Sequence, residues 1–144
     1  MSLQIRDGIS PMLARRIRAL KDTRPVLEAM GAEAVSLTKR SFTDAALRPA
    51  TWPAKRDGSA ATLRKSGAMW QSIRITEVTG KSVAWGSDRV YAAIHQLGGK
   101  TGKGGKVTMP ARPFFPVLNK KITEAARKRI DAVGARKIES IMGK

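Results

Sequence analysis

The chain has no cysteine, one histidine and one tyrosine. Lack of thiols excludes disulfide frameworks, thiolate metal sites and cysteine nucleophiles. The lone histidine, His95, has no HExxH context and no second histidine, so zinc sites of the usual kind are not expected. His95 is expected to be packed or hydrogen-bonded at a helix end. Acidic residues are scarce as well, and Asp57, Glu77 and Asp88 stand apart, with no spacing that suggests a working carboxylate pair. Aromatic residues make up 5% of the chain, which is poor material for stacking bases. No zinc-finger, basic-zipper or RNP pattern occurs. No apolar run approaches the roughly 18 residues of a membrane span. The first ten residues, MSLQIRDGIS, lack the basic stretch and apolar core of a signal peptide. These absences point away from an enzyme, from a cofactor or metal, and from a membrane partner. They fit a protein made in the cytoplasm.

What is present is positive charge. Lys plus Arg is 28 and Asp plus Glu is 11, a net charge of +17. Charge of that size implies anionic partners: nucleic acid, an acidic protein surface or anionic lipid. Residues 98–115 carry four bases and no acid, and residues 119–144 carry eight bases and three acids. At 144 residues and 42% hydrophobic content the chain is expected to form a single domain, 1–144, with its own core. Flexible loops are expected at about 43–65 and 98–106.

The pattern predicts an α+β fold. Residues 11–21 read as a short helix with Pro11 in the first turn and Met12, Leu13, Ile17 and Leu20 on one side. A longer helix follows from Arg24 to Phe42, with a stripe of Leu27, Met30, Ala34 and Leu37. Gly31 either weakens it or marks close packing against a neighbour. Leu63 to Ile73 reads as a short helical turn. The clearest hairpin is 74–87, with Gly80-Lys81 as a two-residue type II′ turn that sets Val78 opposite Val83 and Thr76 opposite Trp85. Ile73 and Ile75 then fall out of phase, so either both sheet faces are covered or a bulge shifts the register. A short helix at 90–97, a short strand at 107–109 and a final helix capped by Asn119 and running to Met142 complete the reading. Gly134 is expected to bend or loosen that last helix. The hairpin forms a small antiparallel sheet packed against the helices at 24–42 and 119–142.

The most informative stretch is Tyr91 to Phe115, YAAIHQLGGKTGKGGKVTMPARPFF. Its glycine run does not make a phosphate loop. Gly99-Lys100-Thr101 supplies the end of a Walker A pattern, but the earlier glycine would fall at Ile94, and no G-x-G-x-x-G occurs. Five glycines between Gly98 and Lys106 make order costly, and Lys100, Lys103 and Lys106 favour a polyanion. The block Pro110 to Pro116 holds three prolines that enforce extended backbone. It reads either as a connector whose phenylalanines plug the core, or as an intersubunit clamp built on Arg112 and an aromatic ring.

One series of residues goes further. Phe42, Trp52-Pro53, Leu63, Ser66-Gly67, Met69 and Ser72-Ile73 are followed by Val83-Ala84-Trp85-Gly86-Ser87. Then come Tyr91-Ala92, Ile94-His95-Gln96, Gly98 and Pro110-Ala111-Arg112-Pro113-Phe114-Phe115. This series resembles the phage virion morphogenesis proteins, the tail-completion proteins of Mu-like and P2-like phages. The Y-A-x-I-H-Q-x-G block with P-A-R-P-F is its most specific part. The resemblance implies a structural, non-enzymatic virion protein at the head–tail neck. It implies a homo-oligomeric ring, six-fold, that completes the tail or joins it to the capsid portal. Its partners would be other neck, portal or tail proteins, with genomic DNA in the channel as a further one. It would reside in the virion, and in the host cytoplasm during assembly. Tyr91, His95, Gln96, Pro110, Arg112, Pro113, Phe114 and Phe115 are then expected at the fold core and at subunit or partner contacts. Relatives carry insertions of varied length where this chain has GKTGKGGK, so the basic loop of Lys100, Lys103 and Lys106 transfers least. The alternative is a sequence-independent DNA-binding protein.

Overall fold

The computed structural model describes residues 2–5, 10–64 and 66–142. Its centre is an antiparallel three-stranded sheet in the order β1 (Ser2–Ile5), β3 (Val83–Gly86), β2 (Arg74–Val78). The 74–87 hairpin was expected; β1 was not, although Ser-Leu-Gln-Ile alternates as a strand should. Strand β3 lies between the other two and beneath helix α2 (Arg24–Arg40), and all four of its residues are buried.

The register question has a clear answer. Val78 faces Val83 as expected, but Ile75, not Thr76, pairs with Trp85. A bulge between Ile75 and Glu77 leaves Thr76 as the extra residue. It brings Ile75, otherwise out of phase, against the core. The turn differs from expectation, since Gly80 does not take the positive φ that type II′ requires. The Thr79 hydroxyl closes the turn instead, accepting from the N–H groups of Lys81 and Ser82 at 3.1 and 3.0 Å. The Thr23 hydroxyl, at the start of α2, donates to Gly80 O at 2.7 Å and so ties the turn to the helix.

Helix α2 is gripped on two sides by glycine-mediated approach. A Cβ on Gly31 would lie 2.7 Å from Val83 Cγ2 and 3.0 Å from Ile75 Cδ1, so close packing on the sheet explains this residue. On the other side α2 packs against α5 (Glu124–Ile141), where a Cβ on Gly134 would lie 2.7 Å from Met30 Sδ. Gly134 does not interrupt α5. It belongs to the buried stripe Ala126, Ile130, Gly134, Ile138, which recurs every four residues. Helix α1 (Pro11–Arg18), capped by Ser10 Oγ on Leu13 N, lays Leu13 and Ile17 into the same core and packs on α5.

The final helix begins at Glu124 rather than at Asn119. Asn119 and Lys120 both have positive φ, 52° and 66°. They form the turn of a small ribbon, β6 (Val117–Leu118) with β7 (Lys121–Ile122). Paired positive φ values suit a type I′ hairpin turn, in which asparagine is at home. Thr123 takes the capping role, accepting from Ala126 N at 3.3 Å. Helix α3 (Ala68–Ser72) and helix α4 (Ala92–Leu97) are short. The 98–106 segment is largely regular: β4 (Gly99–Thr101) pairs with β5 (Val107–Met109) around a 3₁₀ turn at Lys103–Gly105. Residues 43–64 hold one short 3₁₀ turn, Ala45–Leu47, and are otherwise irregular.

Candidate functional site

Prolines at 110, 113 and 116 keep the segment between β5 and β6 extended and deny it a partner strand. Yet residues 112–116 are buried. Buried backbone needs hydrogen-bond partners, and here most come from side chains. Gln96, 4% exposed, accepts through Oε1 from Phe114 N and Phe115 N, both at 2.9 Å. The Trp52 indole N–H donates to Pro113 O at 2.7 Å. The Ser41 hydroxyl, 2.8 Å from Phe114 O, shares its one proton between that carbonyl and Thr38 O. Arg112 N donates to His95 O at 2.7 Å, and Thr123 N donates to Pro116 O at 2.9 Å.

Phe114 and Phe115 are fully buried, with ring centroids 4.6 Å apart. Phe42 touches Trp52 and Phe114, and Trp85 touches Phe115. All three phenylalanines and two of the three tryptophans therefore form one connected cluster. Aromatic content is low, but it is concentrated. Arg112, 7% exposed, is also internal. Its Nε and Nη2 donate to Pro53 O and Ala54 O, both at 2.9 Å. The Trp52-Pro53 and Pro110–Phe115 elements of the sequence thus hold one another: Trp52 bonds Pro113, and Arg112 bonds Pro53. Arg48 adds a clamp beneath them. Its guanidinium lies 3.6 Å from the Trp52 ring centroid and donates to the carbonyls of Ser41 and Phe42 at the end of α2.

Gly98 ends α4 at φ 72°, ψ −179°, a conformation essentially restricted to glycine. A Cβ there would meet Ala111 N at 2.7 Å and Met109 O at 3.0 Å. This explains why a glycine follows the helix before the chain turns into the ribbon.

The residues expected at contacts divide into two groups. Gln96, Arg112, Pro113, Phe114 and Phe115 are buried within the chain, and of these Arg112 reaches the wall of a cleft. Pro110 and His95 are half-buried, and Tyr91 is exposed. Lys100, Lys103 and Lys106 are exposed on the β4–β5 ribbon. Beside them in sequence, α4 buries Ala92 and Gln96 but exposes Ala93 and Leu97, and Val90 in the turn before it is exposed too, an apolar series at 90, 93 and 97. Val90 is 95% and Leu97 70% exposed. This series escaped the sequence reading, in which 90–97 was simply an apolar helix. Ser41 and Lys55 escaped it too, since an isolated serine or lysine carries no pattern.

Tyr91, His95 and Arg112 converge on a cleft of about 350 Å³, with Lys55, Leu63 and Met69 completing its wall. The Tyr91 and His95 rings meet edge to face at 6.0 Å. Burial, and then the Arg112 charge, hold the His95 imidazole below its ordinary pKa, which favours the neutral ring. Its Nδ1 is buried without a hydrogen-bond partner among the described residues. Arg15, Arg16 and Arg18 on α1, and Lys128, Arg129 and Arg136 on α5, are exposed. Among the described residues, no group of three His, Cys, Asp or Glu is placed to hold a metal ion, and no helix is long and apolar enough to cross a membrane.

Comparison with known proteins gives two matches. The model of the phage virion morphogenesis family matches residues 4–139. A curated relative, the Mu-like prophage FluMu G protein 2 of Haemophilus influenzae, is 32% identical over 107 residues, covering 74% of this chain and 75% of the relative. No solved structure matches.

Proposed function

The chain belongs to the phage virion morphogenesis family, and from that premise we propose that it forms a six-fold homo-oligomeric ring at the head–tail neck, completing the tail or joining it to the capsid portal. Family membership supports a structural phage virion protein. The finer reading rests on one observation: the exposed apolar series Val90, Ala93 and Leu97, beside the lysine-bearing ribbon in sequence. Exposed apolar side chains grouped close together, here at and just before α4, mark a contact surface. The motif residues beneath it, Gln96 and Phe114-Phe115, form a packed support rather than a reactive centre. Its partners are further copies of itself and other neck, portal or tail proteins.

The test is assembly. Sedimentation of the purified chain, alone and with its neck partners, should yield a discrete species of about six subunits, as repeated head-to-tail contacts give when their rotation closes a ring, rather than an open filament. Particles from a phage lacking the gene should fail to join head and tail. A chain that stays monomeric and is absent from virions overturns the reading.

The exposed bases of α1 and α5 favour a second reading, sequence-independent DNA binding. A salt series with duplex DNA tests it: affinity should fall steeply as salt rises if phosphates are the ligand. No binding at low salt removes it.

A further inference from the structure

The cleft at Tyr91, His95 and Arg112 has features that the internal packing does not use. It brings together four segments: the irregular stretch after α2 through Lys55 and Leu63, α3 through Met69, α4 through His95, and the proline block through Arg112. Its charged lining residues are basic, and no acid lines it. Arg112 is fixed by its bonds to Pro53 and Ala54, yet its charge meets no acid in an ion pair among the described residues. Asp57 is close enough to Lys55 to feel its charge, but that carboxylate is engaged by its own turn. It accepts from Ser59 N at 2.9 Å and Ser59 Oγ at 2.6 Å. The His95 ring makes no hydrogen bond to any described residue. Leu63 and Met69 give the wall an apolar side. Leu63 is held at φ 55°, a region branched aliphatic side chains avoid.

We propose that this cleft is a socket for a carboxylate side chain, glutamate or aspartate, presented by a protein partner. The volume admits a side chain together with the backbone that carries it, and the mixed lining suits an aliphatic stem ending in an anion. Lys55 and the Arg112 charge supply the positive field; Tyr91, an exposed residue of the wall, offers a hydroxyl. A duplex phosphate backbone fits less well. It is read by open rows of bases, as on α1 and α5, rather than by a cleft with an apolar wall. The proposal rests on the reading that this protein works by assembling with other proteins, and it names the chemistry of one such contact.

Tyr91 and His95 are the sole tyrosine and histidine, so their ring NMR resonances report on the cleft alone. The full chain is titrated with N-acetyl-glutamate α-amide, and in parallel with N-acetyl-glutamine α-amide, inorganic phosphate and a short single-stranded oligonucleotide. The carboxylate should shift both resonances saturably, with a Kd of about 1 mM for a probe of this size. The glutamine analogue should leave them unmoved. Lys55→Ala, at an exposed position, should weaken binding by about tenfold through loss of a charge-assisted contact. An absence of saturation, an equal response to the glutamine analogue, or stronger binding of phosphate or oligonucleotide overturns the socket. Carboxylate binding by a chain that never assembles would leave the socket standing and remove the ring. A ring-forming chain that ignores the carboxylate would do the reverse.

Discussion

The proline block and the β4–β5 ribbon adjoin in sequence and differ in every physical respect. The block, residues 110–116, has almost no regular structure, yet from Arg112 onward it is buried. Its backbone groups are answered by Gln96, Trp52, Ser41, His95 and Thr123. The ribbon, Gly99 to Met109, is hydrogen-bonded in register, yet nearly all of it is exposed, and it carries three lysines. Between these two segments, regular hydrogen bonding therefore does not coincide with burial. In the block, buried backbone has side chains among its partners, and each such partner is irreplaceable by a shift of register.

That contrast can be broken at its strongest point first. Gln96→Ala leaves the N–H groups of Phe114 and Phe115 buried without an acceptor. At about 1–3 kcal/mol for each unsatisfied group, urea unfolding should show a loss of about 2–6 kcal/mol. A loss below 1 kcal/mol, taken as about the effect of an ordinary hydrogen bond, would mean that the block finds other partners. Next, Gly98→Ala forces a side chain into a glycine-only conformation against Ala111, and should cost about 2–4 kcal/mol. Arg112→Ala releases the 53–54 backbone and should cost about 2–3 kcal/mol in unfolding, with Arg112→Lys recovering only part of it. Stability unchanged with assembly lost would return Arg112 to the role of intersubunit clamp.

A smaller effect should come from pH. The folded His95 has a lowered pKa, so the unfolded chain binds that proton more readily. Its contribution is present above the unfolded value of about 6.5 and is lost as pH falls from there toward the folded value. Asp131 has the opposite sign. Burial raises its pKa, so the folded chain holds the proton more tightly, and stability falls as pH rises from the unfolded value of about 3.9 through the folded one. Urea midpoints of His95→Gln and Asp131→Asn across pH should each flatten one of these slopes. The least effect on stability belongs to the ribbon. Lys100→Ala, Lys103→Ala and Lys106→Ala together should change unfolding by no more than about 0.5 kcal/mol. Their influence should appear only in assembly or in the salt dependence of anion binding. A large stability loss would place the ribbon with the block.

Much of the fold was legible because it is periodic. The stripe Leu27, Met30, Ala34 and Leu37 repeats with helical geometry, and the two apolar runs about Gly80-Lys81 mark the hairpin of β2 and β3, so local reading finds both. The start of the last helix was misread because Asn119 serves equally well as a cap and as a positive-φ turn residue. Only pairing of Val117 with Ile122 decides between them. The ribbon was read as loop because glycine and lysine lack strand propensity.

Sequence alone determined the class of this protein. Its ordered motif residues, by their resemblance, placed it among phage virion morphogenesis proteins, and its stripes placed the core helices. Tertiary structure alone decided what the motif residues do. Gln96 reaches Phe114 across 18 positions, Arg112 reaches Pro53 across 59, and Ser41 reaches Phe114 across 73. Side-chain-to-backbone bonds over such separations have no period and no local propensity. They exist only once the chain has brought both partners into the same buried space.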